Sequence, residues 1–142
     1  MGIKCVKMPI IIPSSCKVYD FYHSAMWLNN GIMYGKYKPD LVIDIEIAQE
    51  MVRDRKKVSA GISRPFLIDV TDLLSVDTDG RNYLAGPAGC ELISAGAIYT
   101  QNQLLAFVGN AFILLDKPLV PAKVFSNESA ALRWLEPFRN LN

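Results

Sequence analysis

Residues 65–85 read PFLIDVTDLLSVDTDGRNYLA, and this stretch decides the fold class. Phe66, Leu67 and Ile68 form the short apolar run of a buried strand, and Asp69 to Asp72 break it. Asp77 or Asp79 then caps a helix, so a buried strand feeds through an acidic Asp-Thr-Asp-Gly turn into a helix start. A helix start reached from a central strand presents unpaired N–H groups and a positive dipole end. There α/β proteins place anion sites, phosphorylation sites and partner contacts.

Upstream of it, residues 18–28 (VYDFYHSAMWL) alternate and are rich in aromatic and β-branched types, as a strand requires. Asn29-Asn30-Gly31 is a hairpin signal, because Asn and Gly tolerate positive φ, and it predicts that Ile32 to Lys38 pairs back antiparallel. Pro39 and Asp40 end the hairpin. Asp44 is placed to cap a helix in which Ile47, Ala48, Met51, Val52 and Val58 recur at helical spacing until Gly61.

Downstream, Gly86, Pro87 and Gly89 interrupt or kink the second helix before Cys90 to Ala95, and Gly96 to Thr100 (GAIYT) reads as a short buried strand. Residues 103–115 (QLLAFVGNAFILL) carry no charge and predict a helix apolar on nearly every face, hence central or covered. Val120 to Phe125 makes a last strand. Asn127 or Ser129 opens a final helix carrying Ala130, Ala131, Trp134 and Leu135, with a cap that lacks its reciprocal Glu. The expected order is β-β-α-β-α-β-α-β-α: an α/β fold with a mixed five-stranded sheet, an N-terminal β-hairpin and about four helices. A single domain is expected over 18–142, after a loose leader over 1–17.

Composition agrees with one globular unit. At 142 residues, 51% of them hydrophobic, the chain can bury a core without disulfides or metal. Fifteen basic against 14 acidic residues, with no long run of either sign, leave no electrostatic footprint for nucleic acid. Lys36, Lys38, Arg53, Arg55, Lys56 and Lys57 are the densest basic residues, and the last four read as the solvated end of a helix. Cys5, Cys16 and Cys90 have no CxxC spacing and only His23 to join them, so neither zinc site nor disulfide framework is expected, and Cys90 reads as a small buried hydrophobe. The apolar run from Met8 to Ile12 is broken by Pro9 and too short for a signal core, and Val6 departs from the myristoylation motif. A cytoplasmic protein without a membrane span is the expectation.

Two constellations remain. Asp69, Asp72, Asp77 and Asp79 gather four carboxylates, but without a calcium loop or its terminal Glu, so capping and turn roles outweigh a metal site. The charge-free helix, at about 20 Å too short to span a bilayer, reads as core or as a dimer face. A pocket wall for an acyl chain is its other reading, with Phe107, Phe112, Ile113 and Leu114 as candidates. No GxSxG elbow, phosphate loop or Cys with a base partner is present, so neither catalysis nor a cofactor is expected.

The element order over 18–138 resembles the STAS domain, the fold of bacterial anti-sigma-factor antagonists, and especially the SpoIIAA-like branch often compared with CRAL-TRIO lipid-binding domains. In LIDVTDLLSVDTDGRNYL, residues 67–84, Asp69, Asp77 and Gly80 fall where the family pattern puts them, and Thr78 and Asp79 fall on its two hydroxyl positions. KPLVPAKVF (117–125) and ESAALRWLE (128–136) also look like small uncharacterised bacterial proteins of that branch. The resemblance implies a non-enzymatic regulatory domain that binds a partner protein through Asp77, Thr78, Asp79, Gly80 and Arg81. A small hydrophobic-ligand or lipid carrier is the alternative. In phosphorylation-controlled antagonists a kinase modifies the second hydroxyl. Asp79 stands there, a fixed negative charge, which leaves Thr78 as either a helix-start residue or the phosphoacceptor.

Overall fold

The structure, a computed structural model, describes residues 8–139. Asn30 and Gly31 take φ of 53° and 79°, the left-handed values of a two-residue hairpin loop. They fold β2 (Ser24–Asn29) back onto β3 (Ile32–Tyr37), with Asn29 opposite Ile32. The expected first strand is broken in two. Phe21 N donates to Ser24 O at 2.8 Å to close a turn, leaving β1 (Tyr19–Asp20) to pair antiparallel with β2. His23 therefore lies in the turn, its Nε2 2.6 Å from Glu50 Oε2.

Asp44 starts α1 (Ile45–Ser59) by accepting from Ile47 N at 2.8 Å, and Ala60 and Gly61 end it at φ 52° and 77°. β5 (Arg64–Asp69) then pairs parallel with β3. Two short strands, β4 (Leu41–Ile43) and β6 (Leu73–Val76), pair parallel as a separate small sheet that the sequence reading lacks. Three or four residues are too few for alternation to register, and each strand exists through its partner. α2 (Thr78–Ala85) and α3 (Pro87–Cys90) follow. Leu92 at φ 63° turns the chain into β7 (Ile93–Tyr99), so residues 91–95 do not continue the helix as expected. α4 (Gln103–Ala111) runs on into a π-helical turn, Phe112–Asp116, then β8 (Ala122–Phe125), α5 (Glu128–Leu135) and a 3-10 turn, Glu136–Phe138, follow.

The main sheet has six strands in the order β1-β2-β3-β5-β7-β8, antiparallel up to β3 and parallel beyond it. The mixed α/β class stands as expected, and the extra strand is the split-off β1. Because side chains alternate across a strand, the sheet sorts them to two faces. One carries Trp27 stacked on Tyr34 (5.2 Å between centroids, 12° apart), with Leu67, Ala95, Ala97 and Tyr99. Ala131 and Leu135 of α5 and Ile10 cover them. Of the segment read as a leader, residues 1–7 lie outside the described residues. Met26, Met33, Phe66, Ile68 and Ile98 face the other way, toward α1 to α4. There α4 comes so close that a Cβ on Gly109 would lie 2.9 Å from Val124 Cγ2.

Candidate functional site

The Asp-Thr-Asp-Gly turn does start a helix, and Asp77 rather than Asp79 caps it: Asp77 Oδ1 accepts from Gly80 N at 2.7 Å. The turn is anchored on the small sheet. Asp77 N donates to Ile43 O at 3.0 Å, and a Cβ on Gly80 would sit 3.2 Å from that same oxygen. It does not follow the central strand directly, as expected, because β6 lies between Asp69 and Asp77. Gly80 is buried, whereas Thr78 and Asp79 are exposed at the helix start.

Arg81 bridges the acidic start and the segment after α4. Its Nε donates to Asp116 Oδ2 at 3.1 Å, and Nη2 to Thr78 Oγ1 at 3.4 Å. Asp116 closes the π-helical turn after α4, and its side chain is only 8% exposed. Two regions read separately from the sequence, the acidic turn and the charge-free helix, are thus joined by an ion pair. Leu119 N, donating to Ala85 O at 3.2 Å, joins them again.

Among the described residues, nothing covers the outer side of the charge-free helix. Leu104, Phe107, Leu114 and Leu115 are 71–72% exposed, and Gly109 is the one buried residue of α4. A glycine contact brings the backbone near the sheet without burying side chains on the far side, so apolar composition alone did not place the helix inside. Of the four candidates named on it, Phe107 and Leu114 point out, Ile113 is partly buried, and Phe112 turns inward.

Phe112 meets a cavity of about 170 Å3 between the sheet and α1, α2 and α4, lined by Ile68, Ile98, Val108, Val52 and Met51 among others. Gly96 lies on its sheet wall, and a Cβ there would meet nothing within 4 Å. Its polar lining includes Tyr37 and Arg55. Arg55, read from the sequence as a solvated helix end, is 3% exposed. Nη1 donates to Glu91 O at 2.7 Å and Nη2 to Gly89 O at 3.1 Å. Burial pulls the guanidinium down to about 10, with Cys90, Glu91 and Tyr37 pulling the other way. Burial likewise pushes the Tyr37 phenol up to about 12, against the Arg55 charge. The signal for Arg55 was present: it falls with Met51, Val52, Val58 and Ser59 on one helical stripe, and its charge masked the pattern.

The four aspartates do not converge. Asp69 is buried at the end of β5, where it accepts from Ile10 N at 2.7 Å and from the backbone N and hydroxyl of Thr71. It pins the N-terminal segment across the sheet. Among the described residues no His, Cys, Asp or Glu cluster is arranged to hold a metal, and no helix is long and apolar enough to cross a membrane.

A doubly faced mixed sheet with an N-terminal hairpin defines an α/β class that comparison makes specific. The chain belongs to the family described as a domain of unknown function, DUF7793, whose profile matches residues 26–139. Among solved structures it is similar to an uncharacterized protein of the DUF3478 family with a SpoIIAA-like fold from Shewanella loihica PV-4. The two share 17% identity with a TM-score of 0.55, over 95% of this chain and 99% of that one. Apo-SiaC from Pseudomonas aeruginosa also matches, at 12% identity and a TM-score of 0.42, over 85% of this chain and 99% of that one. No curated protein matches the sequence. The fold is SpoIIAA-like, as the STAS resemblance implied.

Proposed function

We propose that this domain is a non-enzymatic regulatory module that binds a partner protein through one composite surface. Its acidic half is the start of α2, Asp77 to Arg81, and its apolar half is the outward side of α4 and the π-helical turn. The observation that carries the reading is the Arg81–Asp116 ion pair, which locks the acidic start to a segment exposing Leu104, Phe107, Leu114 and Leu115. Contiguous apolar surface rimmed by charge is what interaction sites present. Thr78 is the residue open to modification within it: its hydroxyl is exposed, at a helix N-terminus and beside Arg81, where added phosphate is stabilised.

Affinity capture with the wild-type chain, Phe107→Asp and Asp79→Lys tests the reading. Both substitutions are expected to lose the same partner while circular dichroism stays unchanged. A partner that survives replacement of Thr78, Asp79 and Arg81 together removes the acidic half, and self-association lost in Phe107→Asp makes the partner a second copy. The cavity favours a second reading, carriage of a small hydrophobic ligand behind α4.

A further inference from the structure

We propose that the cavity behind α4 binds a small amphiphilic carboxylate, its ring or short chain seated among Ile68, Ile98, Val108 and Phe112 and its anionic group paired with Arg55. This rests on the carrier reading and adds the chemical class of the ligand.

Size comes first. A cavity of about 170 Å3 is close to the ~150 Å3 apolar cavity that admits benzene, so it seats one ring or a short chain. The space is built into the sheet. Gly96 leaves open the place where a side chain on β7 would project, while Ala95 and Ala97, on the opposite face, are fully buried.

Charge sets the class. Arg55 is one of two arginines on the wall of a mostly apolar space; Arg81, the other, is paired with Asp116, whereas the two hydrogen bonds of the Arg55 guanidinium go to neutral backbone carbonyls. Glu91, whose charge acts on Arg55, directs Oε2 to Lys56 Nζ at 2.9 Å. The carboxylates of the ion pairs, Asp20, Glu50, Asp54, Glu91, Asp116 and Glu136, each pair with a residue other than Arg55. A buried cation without a counter-ion is costly, and a carboxylate matches the fork of a guanidinium with donors to spare beyond the two in use. Tyr37, close enough to interact with Arg55, keeps its phenol protonated at neutral pH and so adds a donor at the same corner.

Thermal-shift and 1H–15N NMR titrations with benzoate, benzyl alcohol and toluene test this. Benzoate is expected to raise the melting temperature and to shift the amides of Gly96, Ile98 and Val108, with benzyl alcohol about tenfold weaker. Gly96→Val, which fills the space, abolishes both effects, and Arg55→Gln loses about tenfold for benzoate but not for toluene. If Arg55→Gln does not fold, the wild-type ratio of benzoate to benzyl alcohol and the Gly96→Val result decide. Toluene or benzyl alcohol binding as tightly as benzoate overturns the inference and leaves the carrier reading standing. Silence of the cavity amides toward all three probes overturns both.

Discussion

The two faces of the main sheet are built to different densities. On the α5 side, Trp27 and Leu67 are fully buried, Ala95, Ala97, Ala131 and Leu135 likewise, and the Trp27–Tyr34 stack fills the centre. On the α1 to α4 side the same strands border an unfilled cavity, and the outermost helix leaves four large apolar side chains uncovered. Close packing supplies stability and unfilled or uncovered apolar surface does not, so the two faces contribute unequally to holding the fold, and the proposed recognition surface lies on the less packed one.

The contrast is broken most severely by Trp27→Ala, which removes the largest buried side chain of the packed face. Urea denaturation is expected to show a loss of about 3–5 kcal/mol. It is sharpened by a pair of neighbours on β7. Ala97→Val overfills the packed face at a cost of about 1–3 kcal/mol. Gly96→Val enters open space and stays within about 0.5 kcal/mol of wild type. Equal losses at 96 and 97 would show that the cavity face is packed too.

Smaller effects test the side proposed for recognition. Asp77→Ala removes the α2 cap and is expected to lower stability by about 1 kcal/mol, whereas Asp79→Ala, uninvolved in the cap, changes it by less than about 0.5 kcal/mol. A further effect appears in alkali. Native Tyr37 holds its proton to about 12, while an unfolded tyrosine loses it near its ordinary value of 10.0. Between these values the native state binds more protons, so stability falls as pH rises through the window. Arg55, brought down to about 10, acts in the opposite sense over a similar range. Comparing urea midpoints of wild type and Tyr37→Phe at about pH 9 and 11 isolates the phenol, and the variant is expected to lose less.

Much of this architecture was legible because local chemistry and tertiary structure agree. The Asn30-Gly31 turn, the Asp44 and Asp77 caps, the Asn127 cap without a reciprocal Glu, and the apolar runs of β5 and β7 each act within a few residues. Where prediction and structure part, the deciding partner lies far along the chain. β4 and β6 exist by pairing with each other, and His23, in the turn that breaks the expected first strand, meets Glu50 of α1.

By itself, then, the sequence determined the mixed α/β class, the hairpin, the helix starts and the acidic turn, since turn chemistry, caps and periodicity are short-range. Tertiary structure alone decided that a charge-free helix lies on the surface, that Arg55 is inside, and that Arg81 binds the acidic turn to the π-helical turn at Asp116. Each of those depends on contacts between different elements, where glycine spacing, a neighbouring carbonyl or an opposite charge outweighs the hydropathy of the segment itself.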